Sequence, residues 1–233
     1  MQRASTYQLC KAGGLFGILS RMDFSTLLID LDDTVYPKES GVWQAIRERI
    51  DQYLVQHFQL TPVAARQLRQ DLFMRYGTTM RGLQAEYQID EDEFLAYVHH
   101  VPLGQFLQPA PELAHMLAGY SQRKMILTNA DSAHARRVLA VLGLSACFEQ
   151  IIDIKAMAPY CKPMPAAFGL ALKRAGEADP ARCVLVDDAA GNIKGGRAAG
   201  FFVVRVADEA DPTAHATIAR LADLPRVLPF AGG

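Results

Sequence analysis

The sequence has no excess of either charge and no long apolar run. Its 24 lysines and arginines are balanced by 25 acidic residues, which leaves a net charge of −1 over 233 residues. This balance argues against the broad basic surface that attracts nucleic acid polymers or anionic lipids. No stretch reaches the roughly 20 apolar residues that a membrane-spanning helix needs. Neither a nucleic acid polymer nor a membrane is therefore expected as a partner.

Cysteine is scarce, and its spacing follows no metal-binding or redox pattern. The chain has four cysteines, at positions 10, 147, 161 and 183. We expect free thiols, and hence a reducing compartment and a cytoplasmic location. Residues 1–22 lack a convincing signal-peptide cleavage site. We expect them to be a flexible extension, or to precede a true start at Met22.

Half of the residues are hydrophobic, and the first apolar run ends abruptly in carboxylates. Leu27 to Ile29 lead directly into Asp30, Asp32 and Asp33. Crowded carboxylates at the end of a buried strand repel one another and resist desolvation, and a divalent cation such as Mg²⁺ relieves both effects. Ligands of α/β proteins bind at the carboxyl ends of strands. The run therefore predicts a site in which one carboxylate does chemistry, a second transfers protons and a metal holds the group.

Three later segments also place polar side chains at the ends of apolar runs or before a helix. If the runs are parallel neighbouring strands, all these groups meet at one edge of the sheet. A set of carboxylates, one lysine, one threonine and a metal suits a phosphate monoester. The side chains concerned are Thr128, Asn129, Lys162, Asp187 and Asp188.

The alternation of apolar runs with helical spacing indicates an α/β fold with a parallel, doubly covered sheet. Between Pro37 and Pro109 only helical spacing is found, which predicts a cap over the site. We expect a catalytic core from residues 23–37 and 110–233, and a helical cap from residues 38–109. The predicted strands cover about residues 26–30, 124–128, 150–154, 183–187 and 201–205.

Together the motifs resemble the haloacid dehalogenase-like (HAD) phosphohydrolase superfamily over residues 24–205. The resemblance implies a Rossmannoid three-layer core with a parallel sheet, and an all-helical cap inserted after the first strand. It rests on four motifs in the family's order, D-x-D-x-T at residues 30–34, then Thr128, Lys162 and Asp187-Asp188.

In this resemblance Asp30 is the nucleophile that forms an aspartyl-phosphate, and Asp32 is the general acid and base. The implied cofactor is Mg²⁺, held by Asp30, by Asp188 with Asp187 close by, and by the backbone carbonyl of Asp32. Asn192 is expected to contribute through water.

The same resemblance assigns phosphate binding to Thr128, to the backbone amide of Asn129 and to Lys162. Lys162 would also restrain Asp30. The residue types alone leave two alternatives open, because Thr128 could simply cap a helix and Lys162 could be a solvated surface residue.

A closer resemblance links the chain to pyrimidine 5′-nucleotidases of this superfamily. It is carried by residues 31–37, 76–83, 97–99 and 128–130. It implies a preference for pyrimidine nucleotides, with contacts from the cap, although packing within the cap is an open alternative. The candidate contacts are Trp43, Tyr76, Thr78, Thr79, Arg81 and His99. By contrast, we expect His134, Arg136 and Arg137 to lie on a helix surface.

The expected function is Mg²⁺-dependent hydrolysis of a small phosphomonoester, with UMP or CMP preferred. The alternatives are a HAD phosphatase or phosphomutase that acts on another metabolite, such as a sugar phosphate, and a binding protein that has lost catalysis. Haloacid dehalogenation is disfavoured because relatives with that chemistry lack an acid at the position of Asp32. The sequence leaves open whether the chain is a monomer or a homodimer.

Overall fold

A computed structural model describes residues 23–230 and shows a six-stranded sheet in the order β3-β2-β1-β4-β5-β6. Every neighbouring pair of strands is parallel, which confirms the predicted sheet. The first strand thus lies in the middle of the sheet, between β2 and β4. The strands are β1 (Thr26–Ile29), β2 (Arg123–Leu127), β3 (Gln150–Ile152), β4 (Cys183–Asp187), β5 (Phe202–Val206) and β6 (Ala216–Ile218).

The helices follow the predicted division into an insert after β1 and helices that alternate with strands. The insert contains α1 (Val42–Phe58), α2 (Pro62–Tyr76), α3 (Thr79–Tyr87) and α4 (Glu91–Val98). The remaining helices are α5 (Pro111–Ala118), α6 (Ser132–Leu142), α7 (Pro165–Ala175) and α8 (Ala190–Ala198).

The sheet is covered on both faces, because successive side chains of a strand point in opposite directions. Leu27 and Ile29 of β1 pack into one apolar cluster with α5 and α6, whereas Leu28 packs into a second cluster with α7 and α8. This is the three-layer α/β core expected from the sequence.

The four helices α1–α4 form the helical cap, and side-chain caps mark the starts of α2, α3 and α4. Thr61 Oγ1 accepts a hydrogen bond of 3.3 Å from the Ala64 amide, ahead of Pro62 at the first helical position. Asp90 Oδ1 accepts one of 2.9 Å from the Glu93 amide. Such caps satisfy amides that a helix start leaves free. Both residue types are ones that favour the position before the first helical residue.

Two strands differ from the predicted ones. β3 ends at Ile152, because the Asp153 carboxylate accepts hydrogen bonds from the Ser132 and Ala156 amides and turns the chain. β6 was not predicted, since a three-residue, half-exposed edge strand carries little apolar pattern. No helix within residues 23–230 is both long and apolar enough to span a membrane. The expectations for residues 1–22 and for Cys10 lie outside the described residues.

Candidate active site

The predicted polar groups meet at one edge of the sheet. Ile29 of β1 lies in register with Ile126 of β2 and Val186 of β4, so these strands reach the edge at the same level. Above this edge the core and the cap enclose a cavity of about 560 Å³. The core side of its lining includes Asp30, Asp32, Thr128, Asn129, Lys162 and Asp188.

Lys162 lies at the centre of this arrangement and is almost fully buried. Its Nζ donates to Asp30 Oδ1 at 2.7 Å, to the Leu127 carbonyl at 2.7 Å and to Asp187 Oδ2 at 2.6 Å. An ammonium group has three donors, so all are used. Burial alone would lower the pKa of Lys162, but the charges of Asp187 and Asp30 raise it above its ordinary value. Lys162 is thus a permanent internal cation and not a solvated surface residue.

The Asn129 side chain places the loop that carries Lys162. Its Oδ1 accepts a hydrogen bond of 2.9 Å from the Lys162 amide, and its Nδ2 donates one of 2.9 Å to the Lys162 carbonyl. The buried Thr128 Oγ1 accepts from the Ala130 amide at 3.0 Å, which leaves its own O–H to donate to a ligand. The cap of α6 is Asp131, so the alternative role of Thr128 as a helix cap does not fit the structure.

Three carboxylates cluster beside Lys162, since Asp30, Asp187 and Asp188 each offer an oxygen within 4.8 Å of the others. Burial raises the pKa of Asp30 well above its ordinary value; Lys162 opposes this, while Asp187 and Asp188 add to it. Burial and the neighbouring Asp187 raise the pKa of Asp188 to about 7. One lysine does not offset three carboxylates. A set of hard oxygen ligands with this deficit of positive charge fits Mg²⁺.

The three carboxylates have different surroundings. Asp187 is fully buried and accepts hydrogen bonds from Lys162, from the Ala189 amide at 2.9 Å and from Asn192 Nδ2 at 3.0 Å on each oxygen. These donors occupy Asp187, whereas Asp188 is only half-buried and lines the cavity. Asp30 and Asp188 are therefore the better placed direct metal ligands. The Asn192 amide nitrogen is committed to Asp187.

Asp32 is held by two donors that converge on one oxygen. Its Oδ1 accepts a hydrogen bond of 2.5 Å from Tyr36 Oη and lies 3.1 Å from His134 Nε2. Burial would raise the pKa of Asp32, but the charge and hydrogen bond of His134 and the bond from Tyr36 hold it below its ordinary value. The structure thus gives the predicted acid–base residue a partner that the sequence argument did not assign.

The expectation that His134 lies on a helix surface is wrong. The side chain is fully buried, because it shares the inner face of α6 with Val138 and Leu142. The i, i+4, i+8 spacing of these three residues was a signal for burial, but the adjacent Arg136 and Arg137 suggested a solvated face.

His99 stacks on His134 at the end of the cap. The two rings lie 4.4 Å apart between centroids and 18° from parallel. His99 Nδ1 lies 3.2 Å from Asp131 Oδ1, and His99 also lines the cavity. Burial lowers the pKa of His99. His134 therefore contacts Asp32 directly, and His99 packs behind His134.

The other candidates in the cap separate into two groups. Thr78, Thr79 and Trp43 line the cavity together with His99, whereas Tyr76 and Arg81 are not among the described residues that line it. Thr78 Oγ1 caps α3 by accepting from the Arg81 amide at 3.1 Å, and Thr79 Oγ1 donates to the Arg69 carbonyl at 3.3 Å.

Arg81 joins the cap to the core, and the substrate contact expected from the sequence stays a prediction. Its Nη2 donates to the carbonyls of Ile154 at 2.6 Å and Tyr160 at 3.3 Å, which belong to core loops. Tyr76 Oη donates to Glu86 at 2.8 Å, within the cap. The sequence could not separate these roles, because the partners of Arg81 are distant in the chain.

Arg47 also lines the cavity, although no sequence motif pointed to it. Its guanidinium lies 6.0 Å from the ring centroid of Trp43, one helical turn earlier on α1. Within residues 23–230 no carboxylate oxygen lies within salt-bridge distance of Arg47, and its buried Nε has no hydrogen-bond partner. Arg69, which also lines the cavity, is paired with Asp51 at 2.7 Å. Arg47 was hard to recognise among the charged residues of α1.

Comparison with protein families matches residues 24–200 to the family described as haloacid dehalogenase-like hydrolase. The match covers about three quarters of the chain. The chain belongs to the haloacid dehalogenase-like hydrolases. This confirms the superfamily resemblance drawn from the four motifs.

Two curated proteins are similar to this HAD-like hydrolase. Phosphate metabolism protein 8 of Saccharomyces cerevisiae is 24% identical over 71% of the chain, which spans 56% of that protein, about half its length. Fructose-1-phosphate phosphatase YqaB of Escherichia coli is 26% identical over 78% of the chain and 96% of its own length.

Solved structures share the fold of this HAD-like hydrolase. The magnesium-bound HAD-hydrolase YfnB of Bacillus subtilis has a TM-score of 0.57 at 19% identity and covers 88% of this chain and 98% of its own. The L-2-haloacid dehalogenase of Xanthobacter autotrophicus has a TM-score of 0.59 at 18% identity, with 90% and 100% covered. At these identities the likeness shows the fold alone.

Proposed function

We propose that this HAD-like hydrolase is a Mg²⁺-dependent phosphomonoester hydrolase that works through an aspartyl-phosphate intermediate. The observation that carries the proposal is the pairing of Asp30 with a buried Lys162, next to a second cavity-lining acid at Asp32. Two acids with different partners can separate nucleophilic attack from proton transfer.

In the proposed reaction the two oxygens of Asp30 have different tasks. Oδ1 is held by Lys162 at 2.7 Å, so Oδ2 is available to attack phosphorus in line. As the new P–O bond forms, the ester bond to the leaving oxygen breaks, and Asp32, which enters this step protonated, gives that oxygen its proton. In the second half Asp32 takes a proton from water, whose oxygen bonds to phosphorus while the bond to Asp30 breaks. The free O–H of Thr128 is placed to donate to a non-bridging phosphate oxygen.

The carboxylates of Asp30 and Asp188 and the backbone carbonyl of Asp32 would hold Mg²⁺. When bound, the ion supplies positive charge that brings an anionic substrate beside the Asp30 carboxylate and stabilises the transferring phosphoryl group. The magnesium bound by YfnB supports this choice of cation for the shared fold.

For the substrate we propose a pyrimidine nucleoside 5′-monophosphate, such as uridine 5′-monophosphate (UMP) or the cytidine analogue. The cavity of about 560 Å³ has aromatic and aliphatic walls in the cap, among them Trp43, Phe73 and Phe94. Such walls suit a planar ring, and the unpaired Arg47 can donate to a carbonyl of that ring. The alternative substrate is a sugar phosphate, which the similarity to fructose-1-phosphate phosphatase YqaB supports.

Phosphate release from a panel of esters tests both the Mg²⁺-dependent hydrolysis and the preference for a pyrimidine nucleotide. The panel contains UMP, CMP, AMP, GMP, fructose 1-phosphate and p-nitrophenyl phosphate, each measured with Mg²⁺ and with EDTA. We expect turnover only with Mg²⁺ and the highest kcat/KM on UMP or CMP. Asp30→Asn should show no turnover, and a cooperative unfolding transition verifies that this variant is folded. Full activity in EDTA would refute the metal, and a clear preference for fructose 1-phosphate would refute the nucleotide.

The Arg47→Met variant tests whether Arg47 recognises the nucleotide base. Arg66→Met, at an exposed position of the cap, is the matched control. Losing a polar contact to a buried carbonyl costs about 1–3 kcal/mol, so kcat/KM on UMP should fall about tenfold or more relative to p-nitrophenyl phosphate. Arg66→Met should leave this ratio unchanged. An unchanged ratio in Arg47→Met would remove Arg47 from substrate recognition.

A further inference from the structure

The two carboxylate oxygens of Asp32 have different environments. Oδ1 accepts from Tyr36 Oη at 2.5 Å and lies 3.1 Å from His134 Nε2, while Oδ2 has no hydrogen-bond partner among the described residues. The carboxyl oxygen that carries no proton only accepts, so the imidazole presents its Nε2–H to Oδ1 both when Asp32 is ionised and when Oδ2 is protonated. The side chain lines the cavity, and Oδ2 is the oxygen that protein donors leave available.

Tyr36 reaches Asp32 from the same loop, four residues further along the chain. Its ring is 2% exposed, and the hydroxyl bonds to Asp32. Burial and the charge of Asp32 raise the pKa of Tyr36, so the phenol keeps its proton. Tyr36 is therefore a fixed donor.

His134 reaches Asp32 from α6, and its ring is held in place from the other side. It is fully buried, and its face stacks on His99, whose Nδ1 lies 3.2 Å from Asp131 Oδ1. Asp131 also accepts from the His134 amide at 2.8 Å. Stacking prevents the ring of His134 from turning away from Asp32. An imidazole in an otherwise apolar helix face is costly to bury without a partner, and Asp32 is that partner.

We propose that Tyr36 and His134 are positioning residues that together hold Oδ1 of Asp32 and so make Oδ2 the oxygen that transfers the proton. Asp32 enters the first half with a proton on Oδ2 and gives it to the leaving oxygen as the ester bond breaks. Oδ2 then takes a proton from the water that attacks the phosphorylated Asp30, which restores the protonated Asp32 for the next turnover. This role rests on the proposed phosphomonoester hydrolysis and extends it to two residues beyond the four motifs.

The role predicts a dependence on the leaving group. A ribose or sugar oxygen leaves as a poor alkoxide unless it is protonated, whereas p-nitrophenolate is a stable anion that needs no proton. The value of kcat/KM reports steps up to the transfer of the phosphoryl group to Asp30. It therefore isolates the protonation of the leaving group from the later hydrolysis of the intermediate. Loss of Asp32 positioning should affect the alkyl ester much more than the aryl ester.

The experiment compares kcat/KM on an alkyl and an aryl ester in three variants with Mg²⁺. The alkyl ester is UMP or, if the wild-type protein cleaves it faster, fructose 1-phosphate; the aryl ester is p-nitrophenyl phosphate. In Tyr36→Phe and His134→Leu the alkyl-to-aryl ratio should fall about tenfold or more, the scale of one hydrogen bond to a charged group. His134→Gln keeps a donor, and its ratio should lie closer to that of the wild type.

Tyr87→Phe and His100→Gln, both at exposed positions, serve as controls whose ratio should not change. Melting temperatures verify folding, and Tyr36→Phe decides the question if His134→Leu does not fold. Equal losses on both esters, or an unchanged ratio in a folded Tyr36→Phe, would overturn the positioning role alone. Absence of hydrolysis by the wild-type protein would overturn the proposed function together with this role.

Discussion

Lys162 connects three of the four motifs through a single side chain. Its ammonium group donates to Asp30, to Asp187 and to the carbonyl of Leu127 at the end of β2. These three hydrogen bonds replace the bonds to water that an exposed ammonium group would make. The partners make this exchange favourable, since a buried charge is stable only when it is paired and hydrogen-bonded.

Lys162→Met should destabilise the protein strongly in the absence of metal. The change leaves Asp30 and Asp187 buried without their cation, and breaking a buried ion pair in this way costs about 3–5 kcal/mol. Urea unfolding in EDTA measures the free energy of unfolding. Lys173→Met, at an exposed position of α7, is the control and should change little. A Lys162→Met variant as stable as the control would contradict the pairing.

At the residue scale the sequence predicted the groups that follow apolar runs and missed those whose setting depends on distant contacts. Asp30 and Asp187 were recognisable because each ends a run of buried residues. His134 was misjudged because its partner Asp32 lies 102 positions away in the chain. Arg47 was missed because local sequence does not show that it has no salt-bridge partner among residues 23–230.

At the scale of elements, β1, β2 and β4 were predictable because they are central strands buried on both faces. Their parallel arrangement then followed from the intervening helices. The contact between cap and core was not predictable, because it depends on the way α3 meets two core loops. Gly77, in a left-handed conformation with φ of 81°, ends α2 there, and a Cβ on it would lie 2.9 Å from Cys161 Sγ. Close approach of the cap to the Lys162 loop thus requires glycine.

Arg81→Met tests whether Arg81 joins the two parts. The carbonyls of Ile154 and Tyr160 lose their donor, which should cost about 1–3 kcal/mol of stability. We expect kcat/KM to fall by a similar factor on UMP, AMP and p-nitrophenyl phosphate, because the cap as a whole is less well held. The readouts are urea unfolding and steady-state kinetics, with Arg66→Met as the control. A loss confined to UMP would instead restore the substrate contact expected from the sequence.

For the molecule as a whole, a nearly neutral chain carries a local excess of negative charge under its cap. The net charge is −1, yet Asp30, Asp187 and Asp188 place carboxylate oxygens within 4.8 Å of one another, next to a single lysine. A cation that binds only this folded arrangement stabilises the whole molecule by mass action. Metal binding and proton release are therefore expected to be linked.

The rise in melting temperature produced by Mg²⁺ should depend on pH. Asp188 has a pKa raised from 3.8 to about 7, so without metal the folded protein keeps a proton that the unfolded chain has lost. At a pH between 3.8 and about 7 the metal must displace that proton before it can bind. The stabilisation by the metal should therefore be small near pH 5.5 and increase up to about pH 8. Thermal unfolding at each pH gives the melting temperature with Mg²⁺ minus the melting temperature with EDTA. Ionisable groups remote from the metal affect both temperatures equally and drop out of this difference. Asp188→Asn should show a much smaller rise at every pH, and an equal rise at all pH values in the wild type would contradict the linkage.

Acid-quench mass spectrometry of the Asp32→Asn variant tests whether Asp30 attacks phosphorus. This variant should hydrolyse the intermediate about 10²–10⁴ times more slowly, the usual scale of general acid–base catalysis, while p-nitrophenyl phosphate still phosphorylates it without a proton donor. We predict that, with Mg²⁺, the peptide containing Asp30 gains the mass of one phosphoryl group, and that adding Asp30→Asn abolishes this gain. A phosphoryl group on another residue, or phosphate release with no phosphorylated protein at any quench time, would rule out Asp30 as the nucleophile.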